Sequence, residues 1–589
     1  MSEERERLSG VVERITYRNE QNGWTVLDLE SGGELHKVVG ILPLCCVGEK
    51  VRLSGHWGSH ATFGPQFVAE GCEREQPVGA DSILRYLAAG SVKGIGPATA
   101  AAIVDKFGDD TLRILEQEPE KLALVKGISR KKALRLGEEY ASQFGLREVM
   151  FTFSEYGLTP NEALRCWKRW GSSTLERVKQ DPYILCTPGL RIGFERADAL
   201  CMAMNGDRES RSRIGAGIQY VLRHNMQNGH TCLPGDKLLP AAAGMLAVEE
   251  GLCRRVLDDL VASLELRELY IDGRRFLFLP AVYQAESYVA TRLRLMIAPG
   301  GAEAADERIE KRIDALEKRD GIRYAALQRK AIHAAVEGQI LVLTGGPGTG
   351  KTTTLRAIIE LLEKDGKQVV IGAPTGRAAK RMEELTGREA KTLHRLLEVQ
   401  WDEDDASVFA RNEQQPLEAD VLVVDEVSMV DALLFESLLR AMKPGCGLIL
   451  VGDADQLPAV GAGCVLKDLI RSEVLPVVQL TEVFRQAMQS RVVTNAHRIV
   501  RGELPELDNH ADGDFFFMPR RNEREVADTV VELCAQRLPA RYPYTVYSGI
   551  QVLCPGRKGA LGTRELNRRR QEALQDSGIY GSSRKEGFV

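Results

Sequence analysis

The sequence predicts a multidomain fold: a small N-terminal β-barrel, a helical region punctuated by glycines and a winged-helix-like region, then a parallel α/β domain and part of a second. Three observations support this. The chain has 589 residues, too many for a single hydrophobic core. Up to about residue 75 its apolar residues alternate in short runs, the mark of half-buried strands. After about residue 320 short apolar runs alternate with helical patterns, the mark of a parallel sheet with crossover helices.

Composition narrows the class. A hydrophobic content of 44% with 27% charged residues is that of a globular protein rather than a disordered chain. Apolar runs such as "ILVLTGG" and "LILVGDA" have strand length and are too short to cross a bilayer, and "MSEERERLSG" lacks a secretory apolar core. These features predict a soluble intracellular protein without a membrane partner. The twelve cysteines contain no CxxC pair and read as reduced thiols. His56 and His60 lie in a Gly-rich stretch that makes a poor helix, so they read as surface residues rather than metal ligands. A net charge of -5 leaves the partner open, because net charge says little about a local channel.

In residues 1–75, "SGVVERITYRNEQNGWTVLDLE" gives two alternating runs around an Asn/Gly turn, and "VVGILP", "EKVRLSGHW" and "PQFVAEGCE" continue the barrel. Such barrels bind oligonucleotides or serve as scaffolds, and these residues do not separate the two. Residues 76–204 contain "SVKGIGPATAAAIVDKFG" and "LALVKGISRKKALRLGEEY", two copies of one glycine-turn-helix unit, with a looser third at "LRIGFERADALC". Gly94, Gly96 and Gly127 permit tight turns before helix N-termini, which suits a phosphate. The unit resembles the helix-hairpin-helix element; a turn used only for packing is the rival reading. Residues 205–297 run helix, short strand, helices and a hairpin around "DGRR", a winged-helix-like order read as a structural connector. "APGGAEAADE" reads as the linker into the α/β domain.

Within residues 298–478, "QILVLTGGPGTGKTTTLRAIIELLEK" is strand, Gly-rich loop and helix, with Gly345, Gly350, Lys351 and Thr352 meeting the G-x-x-x-x-G-K-T pattern. Gly346, Pro347, Gly348, Thr349, Gly350, Lys351, Thr352 and Thr353 are the expected nucleotide contacts. Backbone N–H groups cradle the phosphates, Lys351 reaches the β/γ oxygens, and Thr352 helps hold Mg²⁺. "ADVLVVDEVSMVD" is a second buried strand ending in Asp425, placed to hold Mg²⁺, and Glu426, the candidate base for the attacking water. ATP and Mg²⁺ are the expected cofactors.

"YAALQRKAI", "GAPTGRAAKRM", "TLHRLL", "LILVGDADQLPAVGAG", "LTEVFRQ" and "VLCPGRKGALGTRELN" follow one another as in superfamily-one helicases, and the chain resembles the RecD-like branch in its long form. The resemblance implies a RecA-like ATPase domain over 298–478 with a hairpin insertion near 398–416, and a partial second RecA-like domain over 479–589. It implies an ATP-dependent DNA helicase moving 5′ to 3′ on single-stranded DNA and opening 5′-tailed duplexes in DNA repair or recombination. It also implies that Gln328 hydrogen-bonds adenine, that Thr375, Gly376 and Arg377 meet a DNA phosphate, that Gln456 senses the γ-phosphate and that Arg485 places a guanidinium on it. His394 would face DNA or pack internally. The acidic run "DEDD" in the insertion repels phosphate, which disfavours strand-splitting contact there.

The family's His-Lys-[ST]-Gln-Gly and Tyr-Thr-Ala-x-[ST]-Arg stretches do not occur, so a truncated motor with impaired unwinding is expected. The alternative is an ATP-gated single-stranded DNA-binding module that clamps without unwinding. The basic stretch "RKGALGTRELNRRR" would line the strand channel of a working motor.

Overall fold

The computed structural model describes the chain from residue 6 to residue 576, except for 20–22, 43–44, 46, 61–63, 75–78, 89–91, 93, 298–306, 402–406, 484–487, 511–512 and 544–548. The predicted linker at 298–306, the acidic run at 402–405 and Arg485 lie outside the described residues. The described chain forms two compact units: Met1–Gly345 with Lys351–Leu480, and Gly346–Gly350 with Thr481–Val589.

The first unit opens with a closed barrel of β1 (Glu6–Arg18), β2 (Trp24–Ser31), β3 (Glu34–Ile41), β4 (Lys50–His60) and β5 (Gly64–Arg74) in the order β1-β2-β3-β5-β4. Closure depends on the length of β1, which pairs antiparallel with both β2 and β4 and is bent by irregularities at Val12/Arg14 and Ile15/Tyr17. The alternation read from the sequence puts Val12, Leu27, Leu29, Val38, Leu53 and Phe67 inside.

The glycine repeats form as expected. Gly94 (φ +97°) and Gly127 (φ +94°) both adopt a conformation that L side chains resist, each just ahead of a helix: α1 (Pro97–Phe107) and α2 (Arg130–Glu155). The looser third copy also opens a helix, α3 (Phe194–Ala203), behind Gly193. The next region has helix α4 (Arg211–Met226), strand β6 (Cys232–Pro234), helices α5 (Gly235–Leu246) and α6 (Glu250–Ala262), and the hairpin β7 (Arg267–Ile271)–β8 (Arg274–Phe278). The sheet order β6-β8-β7 completes a winged-helix arrangement. The third repeat and this region share one core, and its polar tie is Arg213. Arg213 is buried, donates to both Asp198 oxygens at 2.7 and 3.2 Å, and reaches the carbonyls of Arg208 and Leu246.

Helix α7 (Pro280–Met296) leads to the motor. There β9 (Ile340–Gly345), β10 (Val369–Ala373), β11 (Ala390–Thr392), β12 (Val421–Val424), β13 (Gly447–Gly452) and β14 (Val477–Leu480) make a parallel sheet in the order β11-β10-β12-β13-β9-β14. The central strands β9, β12 and β13 are buried at every residue, which is why they read as unbroken apolar runs. Two apolar clusters cover the sheet faces, one around Phe435 and Leu438, the other around Ile358 and Leu362. The insertion is a short antiparallel hairpin pairing Val399–Trp401 with Ser407–Phe409.

In the second unit, helices α8 (Arg491–Val500), α9 (Glu523–Glu532) and α10 (Thr563–Asp576) are described, and its described residues form no strand longer than an isolated bridge. Few of its described apolar side chains are buried (Ala527, Cys534, Leu566 and Leu574), whereas Leu504, Phe516 and Leu553 are exposed. In α10, Arg568 pairs with Glu565 and Glu572, and Arg569 pairs with Asp528.

Candidate functional site

Lys351 opens the helix after β9, Asp425 follows β12 and Thr375 follows β10, so these residues lie at the carboxyl ends of the sheet's strands, the edge where open parallel sheets bind ligands. Helix α11 (Lys351–Lys364) starts one loop after β9, and its first-turn N–H groups and positive end favour an anion. Gly348 (φ +77°) and Gly350 (φ +83°) hold loop conformations that glycine takes without strain. The Thr349 hydroxyl donates to the Gly346 carbonyl at 2.9 Å and closes the loop on itself. A Cβ at position 346 would fall 2.6 Å from His497 Cε1 of the same unit, so that position is kept to glycine by contact. The Lys351 ammonium donates to the Gly345 carbonyl.

Charge is concentrated here in a poorly solvated place. Burial pushes the Lys351 ammonium below its ordinary range, opposed first by Asp453, then by Glu426 and Asp425. Burial pushes Asp425 up, against the Glu426 N–H that donates to its Oδ1 at 2.9 Å. Glu426 is also pushed up, by burial and then by the charge of Asp425. A carboxylate pair raised in this way is stabilised by a divalent cation, and the Lys351 ammonium by phosphate oxygens, so the donor set fits a magnesium nucleotide. Glu426 stands at φ +53°, a left-handed conformation that costs a non-glycine residue of order 1–3 kcal/mol.

The sequence did not single out two residues that belong to this constellation. Asp453, buried at the end of β13 inside "GDADQLP", is the carboxylate that bears most on Lys351. Its position directly after a buried apolar strand was the available signal. Arg381, on helix α12 (Gly376–Thr386) after β10, acts electrostatically on Lys351, Asp425 and Glu426. No sequence pattern marks it, because only the fold turns that helix toward the carboxylates.

Other expected residues lie as follows. Gln328 is 2% exposed and its side-chain oxygen accepts the Ala325 N–H at 2.9 Å, closing the start of its own helix. The Thr375 hydroxyl accepts the Ala378 N–H at 3.2 Å and caps α12, leaving Gly376 and Arg377 exposed on the first turn. Gln456 is exposed on the loop after β13. The His394 ring lies 5.9 Å from that of Phe409 on the hairpin, and the residue is exposed. His56 lies 3.5 Å from Glu70, and the described residues hold no cluster of three or more metal-ligating side chains.

Four stretches of the chain match known family models. Residues 5–77 match the OB-fold domain of the ATP-dependent DNA helicase YrrC, and 86–139 the SAM-like helix-hairpin-helix tandem. Residues 142–232 match the helix-hairpin-helix domain of ATP-dependent RecD2 DNA helicases, running past residue 204 where the sequence reading ended its helical region. Residues 328–462 match an AAA domain. The ATP-dependent RecD2 DNA helicase of Deinococcus radiodurans is 32% identical over 99% of this chain and 80% of its own. This chain belongs to the RecD2 DNA helicase family. The RecD subunit of the Mycolicibacterium smegmatis RecBCD enzyme is 42% identical over 24% of this chain and 30% of its own. The Pif1 helicase of Candida albicans matches 38% of this chain and 55% of its own at 24% identity, with a TM-score of 0.26, too low to argue from. No described helix of this RecD2-family chain is long and apolar enough to cross a membrane.

Proposed function

We propose that this RecD2-family chain is an ATP-driven motor that moves 5′ to 3′ along single-stranded DNA and uses a bound magnesium ion. It would open 5′-tailed duplexes as a monomer in a bacterial cytosol. The observation that carries the reading is the carboxylate pair at the end of β12, with Glu426 held in a strained conformation beside Asp425. Strain of this kind persists where surrounding structure imposes it and is concentrated at reactive sites.

In this reading Lys351 neutralises the β/γ oxygens, while Thr352 and Asp425 hold the ion, which supplies further charge neutralisation. Glu426 orients the attacking water and accepts its proton; its raised affinity for protons suits that task near neutral pH. Gln456 and Asp453 share one loop, so movement at the phosphates passes to the strand-end loops. Gly376 and Arg377 lie exposed on the first turn of α12, where backbone N–H groups and a guanidinium suit a DNA phosphate. The Arg485 guanidinium would complete the charge around the transferred phosphoryl group.

The decisive experiment compares ATP hydrolysis with and without single-stranded DNA, beside a Lys351→Ala control. Unwinding of 5′-tailed and 3′-tailed duplexes is then compared. DNA-stimulated turnover and unwinding of the 5′-tailed substrate alone are expected. The second reading, an ATP-gated DNA clamp, is favoured by the exposed apolar faces around Leu504, Phe516 and Leu553 in the second unit. Nucleotide-dependent DNA binding without stimulated turnover would select it.

A further inference from the structure

The N-terminal barrel holds a feature that the motor does not use. Cys45, in the connection between β3 and β4, is fully buried, and Cys72, on β5 opposite Leu53 of β4, is half-buried. Their Sγ atoms lie 3.9 Å apart across 27 residues of chain. A separation only about 2 Å longer than an S–S bond is within reach of side-chain rotation. The Arg18 guanidinium donates to the Cys45 carbonyl and to the Thr25 hydroxyl at 3.4 Å, which fixes the connection that carries Cys45. Thiolate is the reactive form of a cysteine. The half-buried Cys72 gives a small oxidant an approach that Cys45 lacks.

We propose that Cys45 and Cys72 form a hydroperoxide-responsive thiol pair whose oxidation staples the barrel. The Cys72 thiolate attacks the peroxide O–O bond; an S–O bond forms, the O–O bond breaks and, with hydrogen peroxide, hydroxide leaves and takes up the proton that the Cys72 thiol released, as water. The Cys45 sulfur then attacks the Cys72 sulfur; the S–S bond forms, the S–O bond breaks, and the hydroxyl leaves as a second water with the Cys45 proton. Two thiols and one peroxide become one disulfide and two waters. The bond ties the β3–β4 connection to β5 and restrains a barrel whose closure otherwise rests on strand pairing. Cys166, Cys186 and Cys446 are a built-in contrast, since burial pushes their thiols up to about 12, about 11 and about 11.

The test treats the full chain with stoichiometric hydrogen peroxide under native conditions and maps its peptides without reduction. The expected product is a cross-linked peptide joining Cys45 to Cys72, reversed by a dithiol, while Cys166, Cys186 and Cys446 remain alkylatable after unfolding. Amide exchange in β4 and β5 should slow roughly tenfold or more in the oxidised protein. Cys72→Ser should lose the cross-link and leave Cys45 a thiol, and the mapping of the unmutated chain does not depend on that variant folding. The proposal is overturned if both cysteines still alkylate after treatment, or if Cys72 goes on to sulfinic acid without a cross-link. It is equally overturned if the bond forms only in denaturant.

Discussion

In the proposed mechanism Glu426 carries both the chemistry and the backbone strain, and replacing it separates the two. Glu426→Gln keeps the shape and the left-handed backbone but removes the proton acceptor. A positioned general base contributes about 10²–10⁴-fold, so DNA-stimulated turnover should fall by that factor, about 2.7–5.4 kcal/mol of activation free energy. Nucleotide affinity should change little, since Lys351 and the loop glycines remain. Glu426→Gly removes the acceptor and also the strain at φ +53°. Strain of order 1–3 kcal/mol is relieved there, partly offset by about 0.5–1 kcal/mol of glycine backbone entropy. Removing a carboxylate that burial disfavours adds to the gain. Glu426→Gly should therefore raise stability by about 1 kcal/mol while abolishing fast turnover. The assays are steady-state hydrolysis on single-stranded DNA, equilibrium binding of a fluorescent nucleotide, and thermal unfolding. Turnover by Glu426→Gln within tenfold of the parent would refute the assignment of the base. A glycine variant less stable than the parent would refute the strain argument.

Three further outcomes follow from the packing and the charges. Glu360 accepts from Arg319 at 2.9 Å and pairs with Lys364 at 2.8 Å, which holds its carboxyl down at about 2. A depressed carboxyl contributes stability that is present above its unfolded value near 4.5 and lost as pH falls toward 2. After allowance for solvent screening, Glu360→Gln should cost about 1 kcal/mol at neutral pH, and the difference from the parent in thermal midpoint should close across that window. Phe435, fully buried in the motor core, should cost about 3–5 kcal/mol as Phe435→Ala, read from denaturant unfolding of the motor signal. Arg213→Met leaves Asp198 without its buried partner and should cost about 3–5 kcal/mol, seen as earlier unfolding of the region from the third glycine repeat to the winged helix.

Much of the fold was legible because local rules and tertiary structure agree. Period-two runs in the first 75 residues gave a barrel, since one face of each strand is buried and the other is not. The glycines at 94 and 127 were legible because left-handed turns leave little choice of residue. The motor strands β9, β12 and β13 were legible because both faces of a central parallel strand are covered. The second unit was not: its described residues form helices and no extended strand, because strands are stable only beside partners, and the local pattern does not supply them.

At the site, sequence alone singled out a Gly-rich loop, a lysine and a strand-end carboxylate pair, because residues in that order have few uses other than phosphate and metal chemistry. Only the tertiary structure decided their environment. It placed Asp453 as the carboxylate that most opposes the burial of Lys351, and turned Arg381 toward the carboxylates. It also set Glu426 in a strained backbone, and brought the His394 ring near that of Phe409 and Cys45 to Cys72 across 27 residues. The physical reason is common to all of these. Chemical identity is local and is written in the side chain, whereas charge environment, strain and contact depend on which distant segments the packed sheet and barrel bring together.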